Sequence, residues 1–493
     1  MRIVTVDRRA LVSAATLVPN QTRGMSPDFI VELLDRHAIP DGFPFVSDDD
    51  GTMRGCRFLN SYLIAALEQD AYALDNLKNN HLYHLVRFLR FVRRRRAETA
   101  TGLTGGQLDE WLAAHGEPQV DLTEATRQDL LDYKRSRDGC VKATSWQAES
   151  GSISVFYGYA ESAGWIDIDP VPRWGTRRRN TFRGRALVVR QIRFLTEPQL
   201  RLFLRAGLRG DPPAHAEWTP ACPERDHAFG LTLAATALRR EEGTFLLDCE
   251  IPVPEDIPSG GVAEFVRYGK RHRPRTVYVA LELAREVDLY RRAERSQIIQ
   301  TAQRVLRRRR RDGALLVTDG LITGRDGRPR VQVNGRPVRP ELLSNEDRAR
   351  AVRILPDGTL EPLALFVSRL GLPPDVKHWN TIFADARRRV AASGHRDIPP
   401  AHLSVSPHVM RHTFAVRMLS GLMRVGRERA SNPYLLLANP VLTIQQLLGH
   451  SSPDVTQRYL YAAELYNDEL PTALRDHVAR AIGRSLQTEA TSR

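Results

Sequence analysis

Two segments near the C-terminus constrain the fold most, because each opens a helix with a Ser-Pro pair and carries histidine close by. In SPHVMRHTFAVRML (406–419), Ser406 is a candidate N-cap and Pro407 suits the first helical position. His408 and Arg411 lie three residues apart, so they share one face near the positive end of the predicted helix. That helix end is suited to binding a phosphate.

The second segment, LTIQQLLGHSSPDVTQRYLYAAEL (442–465), predicts two helices separated by a tight turn. Thr443 and Gln446 have the spacing of a capping box, and they predict a short helix that ends at Gly449. His450 then lies just past the turn.

Ser452 and Pro453 open the next helix, which carries Tyr459 nine residues after His450. Tyr461 is an alternative reactive tyrosine, but two residues along a helix place it on nearly the opposite face. A phenol has an unperturbed pKa of about 10, so Tyr459 needs a base or a strongly positive surrounding to react at neutral pH.

Upstream, ATALRREEGTFLL places Arg239 three residues before Glu242, and this spacing favours Arg239 over the adjacent Arg240. Further along, GGVAEFVRYGK and RPRTVYVAL predict two strands on either side of Lys270. Lys270 is followed by Arg271, His272 and Arg273, so an ordinary basic hairpin tip that contacts phosphates is an alternative interpretation.

In this order the motifs resemble the tyrosine recombinase family of the phage-integrase type. The family has HxxR, here His408 to Arg411, then LLGH ending in His450, and a tyrosine nine residues later. It also has an arginine in a helix in a pattern like GLRxxE, matched by Arg239 and Glu242, and a lysine in a hairpin turn after a glycine, matched by Lys270. One motif alone is weak, whereas five in the family's order are specific.

The resemblance implies a site in which Tyr459 attacks a DNA phosphate and leaves a 3′-phosphotyrosyl link and a free 5′-hydroxyl. Arg239 and Arg411 would clamp the phosphate, because guanidinium groups match its oxygens bidentately and stay charged. His408 would be the base or a positioning group for the tyrosine.

Lys270 would protonate the departing 5′ oxygen, and His450 would donate a hydrogen bond to the phosphate. Glu242 would orient Arg239, although a plain helix salt bridge is an alternative role. No ATP, metal or other cofactor is implied, since the cationic side chains replace a metal ion. His408 and His412 lie four residues apart like a zinc pair, but the sequence offers no HExxH and no third ligand.

The resemblance also implies a multidomain, predominantly α fold, and a length of 493 residues agrees with several domains. Capping pairs at Thr126 with Asp129 and at Thr196 with Gln199 predict helix starts. The expected parts are a leader of unknown role (1–54), a helical SAM-like core-binding domain that binds DNA (55–175), a basic linker (176–193), an α+β tyrosine recombinase catalytic domain with a small antiparallel sheet (194–485) and a tail (486–493).

Charge favours duplex DNA as the partner: 72 Lys and Arg against 58 Asp and Glu give a formal net charge of +14. Arginine runs occur at 93–96, 177–179 and 307–311, and any one of them is as easily a solvated face as a DNA contact. The candidate DNA-binding residues are Arg177, Arg178, Arg179, Arg271 and Arg273.

The four cysteines lack CxxC spacing, and no apolar run approaches the length of a membrane span, so we expect a cytoplasmic, nucleoid-associated protein. Expansions near 282–375 and 423–441 favour a mobile-element integrase or transposase over a compact chromosome-dimer resolvase. The family implies a homo-tetramer on two recombination sites, with a possible accessory recombinase or directionality factor. Leu474, Val478 and Ile482 form a stripe typical of core, or of a C-terminal helix docked on a neighbouring subunit.

Two other functions remain open from the sequence. A type IB topoisomerase shares this chemistry but relaxes supercoils as a monomer without site preference. A non-enzymatic DNA-binding protein that retains the fold is the second alternative, and the complete set of motifs argues against it.

Overall fold

A computed structural model gives the structure of most of the chain. It describes residues 1–8, 10, 27–69, 71–72, 74–175, 179–183, 192–211, 220–259, 261–269, 274–393, 405–429, 439–450 and 453–466. The chain divides into two compact units, Met1–Val189 and Arg190–Arg493. The boundary lies inside the segment 176–193 that we interpreted as a linker.

The first unit is built mainly from helices. Its long helix follows a π-helical turn at Leu77–His81, and its apolar face meets the other helices in one buried core. The elements are β1 (Arg2–Thr5), α1 (Pro27–Arg36), β2 (Pro44–Ser47), α2 (Arg57–Glu68), α3 (Leu82–Thr101), α4 (Gly105–His115), α5 (Arg127–Arg137), α6 (Ala143–Ser162), β3 (Arg173–Trp174) and β4 (Arg179–Asn180).

The described part of residues 1–54, a range that we interpreted as a leader, shares the core of this unit. Strands β1 and β2 pair antiparallel, and Phe43 and Val46 are fully buried in the same cluster as the helices. The segment therefore contributes to the stability of the helical unit.

The helix α5 begins with the capping box that the sequence predicts. The side chain of Thr126 accepts a hydrogen bond from the backbone N–H of Asp129, and the Asp129 carboxylate accepts one from the backbone N–H of Thr126. The predicted helix start is thus confirmed, because a capping box satisfies orphan N–H groups within a single turn.

The arginine run 93–96 on α3 forms ion pairs within the first unit. Arg93 is almost fully buried, and each member of the run has a carboxylate partner inside the unit. The pairs are Arg93 with Asp48, Arg94 with Asp109, Arg95 with Asp132 and Arg96 with Asp129.

The second unit combines helices with small sheets around a separate core. Its first helix begins as predicted, since the Gln199 side chain accepts from the Thr196 backbone N–H at 3.0 Å. Its helices are α7 (Glu197–Leu202), α8 (Pro223–Thr236), α9 (Arg240–Thr244), α10 (Leu281–Tyr290), α11 (Ser296–Arg311), α12 (Asn345–Arg350), α13 (His378–Ala392), α14 (Pro407–Arg429), α15 (Pro440–Leu448) and α16 (Pro453–Tyr466). Its strands are β5 (Val262–Tyr268), β6 (Pro274–Ala280), β7 (Leu316–Thr318), β8 (Gly320–Thr323), β9 (Pro329–Val333), β10 (Arg336–Val338), β11 (Ala351–Ile354) and β12 (Leu360–Pro362).

The predicted strand pair is confirmed as the antiparallel β5–β6 sheet. Its alternation buries Phe265 on β5 and Val277 and Val279 on β6. Arg275 occupies the same inward row of β6, so a charged side chain points into the unit from this sheet.

The expanded segment 282–375 is a folded part of the second unit, and its first helix, α10, belongs to the main core. It adds two three-stranded sheets, β10–β9–β8 and β12–β11–β7, and β7 pairs with β11 in parallel. The predicted, predominantly α architecture is confirmed. The second unit contains more sheet than the small antiparallel sheet that we expected.

A buried ion pair ties this segment to the core. Arg348 is fully buried, and its guanidinium donates to both oxygens of Glu250 at 2.7 and 2.9 Å. It also donates to the backbone carbonyls of Phe245 and Pro340. A bidentate pair with additional carbonyl acceptors is the arrangement in which a buried charge is tolerated.

Within the described part of the chain, no helix has the length and apolar character needed to cross a membrane.

Candidate active site

Four segments that are far apart in the sequence bring polar side chains together in the second unit. They are the turn between α8 and α9, strand β6, the first turns of α14, and the α15–α16 region. Each contributes at least one arginine, histidine or tyrosine, and the segments are joined by the hydrogen bonds described below.

The turn after α8 is formed by Ala237, which has the left-handed φ of +56° that non-glycine residues rarely adopt. Its carbonyl accepts hydrogen bonds from Arg275 at 3.3 Å and from Arg411. The strained turn thus holds two guanidinium groups around one acceptor. Arg239 follows as the N-cap of α9, in extended conformation, so it lies just before a helix and not inside one as we expected.

Glu242 is the carboxylate at the centre of the arginines. It accepts from the Arg239 side chain at 2.7 Å, from the Arg239 backbone N–H at 2.8 Å and from Arg275 at 2.6 Å. Burial raises the pKa of Glu242, but the guanidinium groups of Arg275 and Arg239 outweigh burial and lower the pKa to about 2. Glu242 therefore stays ionised and holds Arg239, whose side chain is still 33% exposed, at the open side of the cluster.

Arg275 belongs to none of the sequence motifs, although it is central to this site. Its buried guanidinium links Glu242, the Ala237 carbonyl and, at 2.7 Å, the Leu447 carbonyl near the end of α15. The available signal was strand alternation, because an arginine in an inward row with two valines needs buried partners. Its contacts join three of the four segments.

Arg411 lies on α14 as predicted and is only 2% exposed. Its guanidinium donates to the carbonyls of Ala237 and Leu448, so it clamps the end of α15 to the turn after α8. Burial, together with Arg239 and Arg275, lowers the pKa of Arg411 to about 9.

His450 follows the predicted turn, in which Gly449 caps α15 with a left-handed φ of +62°. Its Nδ1 lies 3.0 Å from the hydroxyl of the buried Thr456. Engagement of Nδ1 leaves Nε2 as the nitrogen available to another group. Burial and the nearby charges of Arg411, Arg239 and Arg275 lower the pKa of His450 to about 4.

The start of α15 differs from the prediction. The helix begins at Pro440, one turn earlier than a Thr443 cap would place it, and the Asn439 side chain accepts from the backbone N–H groups of Val441 and Leu442. The Thr443 hydroxyl instead donates to the Asn439 carbonyl, as it can within a helix. The prediction of a Thr443–Gln446 capping box is therefore wrong.

Tyr459 lies on α16 and is 3% exposed. Its hydroxyl is 2.7 Å from Nδ1 of His412, and its ring is stacked near the ring of His450 at a centroid distance of 6.1 Å. Burial raises the pKa of Tyr459, while Arg411, Arg458 and Arg239 oppose that shift. The hydroxyl is therefore protonated at neutral pH and in contact with an imidazole.

His408, the predicted base, occupies the rim of this cluster. Its ring contacts the ring of His412, with centroids 4.3 Å apart, and no hydrogen bond from it to Tyr459 occurs among the described residues. Partial burial and the charges of Arg411 and Arg239 lower the pKa of His408. The sequence signal for His412 was its i+4 spacing from His408, which we weighed only as a zinc pair. In the described part of the chain, no group of three or more His, Cys, Asp or Glu side chains is arranged to hold a metal ion.

The charges of the cluster do not balance. Arg239 and Arg275 pair with the Glu242 carboxylate, whereas Arg411 bonds backbone carbonyls, so these three guanidinium groups share one carboxylate. No group of acids suited to a metal ion accompanies them among the described residues. A buried excess of positive charge is costly unless an anion joins it. The geometry therefore suits an anionic ligand next to the Tyr459 hydroxyl.

Several predicted residues lie outside the described residues: Lys270, Arg271 and Arg273 at the hairpin, and Arg177 and Arg178 before β4. Arg179 is described and is exposed on β4 of the first unit. The side chain of Tyr461 and the stripe formed by Leu474, Val478 and Ile482 are likewise outside the described part.

The pH dependence of the free energy of unfolding tests whether the charge of Glu242 stabilises this cluster. Because the pKa of Glu242 is lower in the folded state than its ordinary 4.5, its contribution is full above pH 4.5 and is lost as pH falls through about 2. A shift of this size corresponds to about 3 kcal/mol of unfolding free energy. We expect urea unfolding to show Glu242→Gln destabilised by about that amount at pH 7 and close to wild type near pH 2.

The matched control is Glu241→Gln, since Glu241 is the exposed neighbour and bonds only Asn345 among the described residues. It should change stability by less than about 1 kcal/mol. A destabilisation by Glu242→Gln that is constant from pH 7 to pH 2 would show that the carboxylate charge does not stabilise the cluster.

No family model matches the sequence, and no curated protein matches it. Similar solved structures include the Tn1549 transposon integrase (residues 82–397) in complex with circular intermediate DNA, at 15% identity and a TM-score of 0.38, covering 75% of this chain and 94% of that one. XerH site-specific recombinase bound to a palindromic difH substrate has 11% identity and a TM-score of 0.43, with 95% and 93% covered. A lambda integrase dimer bound to a COC′ core site has 14% identity and a TM-score of 0.33, with 75% of each chain covered.

All three TM-scores are below 0.5. The solved proteins that the chain is similar to are two integrases and a site-specific recombinase.

Proposed function

We propose that the chain is a site-specific DNA recombinase, an integrase or transposase of a mobile element, that cleaves and rejoins strands through a 3′-phosphotyrosyl intermediate. One observation carries the proposal: the Tyr459 hydroxyl lies in a buried cluster that has three guanidinium groups and one carboxylate. A phosphodiester is the anion that such a cluster would use, because phosphoryl transfer depends on positioning and on stabilising charge at the phosphate oxygens.

In the proposed reaction the Tyr459 oxygen forms a bond to phosphorus as the bond to the 5′ oxygen breaks. The electron pair stays on the 5′ oxygen, which takes a proton from a general acid, assigned to Lys270 by the motif resemblance. Arg239 and Arg411 stabilise the charge on the non-bridging oxygens, and His450 can donate to one of them through Nε2. The phosphotyrosyl link retains the energy of the broken bond, so rejoining needs no cofactor.

The proposed partner is duplex DNA with specific recombination sites, joined by four copies of the chain in synapsis. Support from charge comes from α11, where Arg307, Arg308, Arg310 and Arg311 are exposed and form no ion pair within the described residues. They differ in this from the run 93–96 of α3, whose arginines are each paired with a carboxylate inside the first unit. Free exposed arginines are the type that contacts a phosphate backbone.

The test is to trap the covalent intermediate. The full chain is mixed with a pool of nicked duplexes of randomised sequence, in which the cut fragment diffuses away and prevents rejoining. We expect a protein–DNA adduct that resists denaturing electrophoresis, and mass spectrometry of its peptides should place the nucleotide on Tyr459.

Absence of any adduct, with binding retained, would favour a non-enzymatic DNA-binding protein. An adduct combined with plasmid relaxation and no recombinants would favour a type IB topoisomerase. A nucleotide on a different residue would overturn the assignment of the site.

A further inference from the structure

We propose that His412, and not His408, is the residue that holds the Tyr459 hydroxyl and accepts its proton during strand cleavage. The inference rests on the proposed function and assigns one more catalytic residue to the same site. Its basis is the 2.7 Å contact between Nδ1 of His412 and the Tyr459 oxygen, which is the distance of a strong hydrogen bond.

The surroundings of the pair keep the hydroxyl in place. The Tyr459 ring lies 5.6 Å from the ring of His412 and 6.1 Å from that of His450, so it is held between the two imidazoles. The ring of the exposed His408 packs against that of His412, with centroids 4.3 Å apart. His408 can thus approach a bound phosphate, while His412 contacts the nucleophile directly.

Protonation states agree with this geometry. The titratable and charged groups that bear on His412 are His408 and Arg411 from its own helix, His450 from the end of α15 and Tyr459 from α16. Burial and the positive neighbours lower the pKa of His412 to about 4, so its ring is neutral at pH 7 and one ring nitrogen is an acceptor. An incoming phosphodiester anion stabilises the imidazolium and makes His412 a better proton acceptor.

In strand cleavage, two protons move between named groups. As the Tyr459 oxygen bonds to phosphorus, its proton moves to Nδ1 of His412, and the leaving 5′ oxygen takes a separate proton from the general acid assigned to Lys270. The reverse transfers restore both groups when the strand is rejoined.

The experiment compares His412→Asn with the matched control His408→Asn, one turn earlier on the same helix. Asparagine keeps an acceptor near the position of Nδ1 but cannot take up a proton at neutral pH. Adduct formation is measured in single turnover on two nicked duplexes, one ordinary and one with sulfur in place of the leaving 5′ oxygen. A thiolate leaves without protonation, so the second substrate bypasses the general acid.

We expect His412→Asn to slow adduct formation by about 10²- to 10⁴-fold on both substrates, the range of a lost general base. Lys270→Ala should be slow on the oxygen substrate and recover on the sulfur substrate. The wild-type rate should fall at low pH as His412 becomes protonated; this decline should persist in His408→Asn and be absent from His412→Asn.

Electrophoretic mobility shifts and thermal unfolding identify a variant that has lost its fold, and His412→Gln then takes the place of His412→Asn. The inference is overturned if His412→Asn stays within about threefold of the wild-type rate. Loss of the low-pH decline in His408→Asn alone also overturns it. Failure of the wild-type chain to form any adduct would instead refute the proposed function, so the two failures are distinguishable.

Discussion

Replacing Tyr459 with phenylalanine is expected to abolish covalent attachment to DNA, with a loss on the order of 10⁶-fold, as when the nucleophile of another enzyme is removed. Phenylalanine keeps the ring that packs between His412 and His450 and removes only the oxygen, so the unit should remain folded. The measurement is single-turnover adduct formation on nicked duplexes, with DNA binding followed by electrophoretic mobility.

The matched control is Tyr461→Phe, two residues along the same helix, which should keep the adduct. Because positions two apart on a helix point in nearly opposite directions, only one of the two tyrosines can face the arginine cluster. An adduct that persists in Tyr459→Phe and disappears in Tyr461→Phe would show that Tyr461 is the nucleophile.

Arg411→Lys is expected to lower the rate of strand cleavage by about 10³- to 10⁵-fold, the range for loss of an arginine that stabilises a transferring phosphoryl group. Lysine keeps the charge but offers one compact donor group, whereas the guanidinium of Arg411 reaches two carbonyls on different elements. Those carbonyls, on Ala237 and Leu448, hold the turn before Arg239 against the end of α15. Single-turnover cleavage, with unfolding monitored in parallel, measures the effect.

Arg417→Lys on the same helix is the control, since Arg417 is 34% exposed and contacts Glu197 at 3.6 Å. Its replacement should change the cleavage rate by less than about twofold, because exposed ion pairs contribute little. A rate for Arg411→Lys that stays within tenfold of wild type would mean that a bidentate cation is not required at this position.

Local signals predicted the elements that carry the site. The Pro407 and Pro453 helix starts, the Gly449 turn and the β5–β6 pair all depend on neighbours within a few residues, so the sequence alone predicts them. The Thr443 cap failed for a local reason too, because a threonine three residues before a glutamine also occurs inside helices.

Only the structure showed which arginine runs are paired with carboxylates. Arginine runs at 93–96 and 307–311 are indistinguishable in composition, yet the first is paired with carboxylates from three other segments. In the second, four of the five arginines are exposed, and none of the five forms an ion pair among the described residues. Partners that lie tens of residues away in the chain decide whether a basic run stabilises the fold or is free to contact an anion.

The sequence by itself determined that His408 and Arg411 lie in the first turns of a helix, that His450 follows a tight turn and that Tyr459 lies on the next helix, since capping and helical spacing act within one or two turns. Only the tertiary structure decided which groups touch the reactive hydroxyl and the arginines. Arg275 reaches Glu242 across 33 residues of sequence, and His412 reaches Tyr459 across 47. Such contacts depend on how α14, α16 and β6 pack together, which spacing along one chain does not specify.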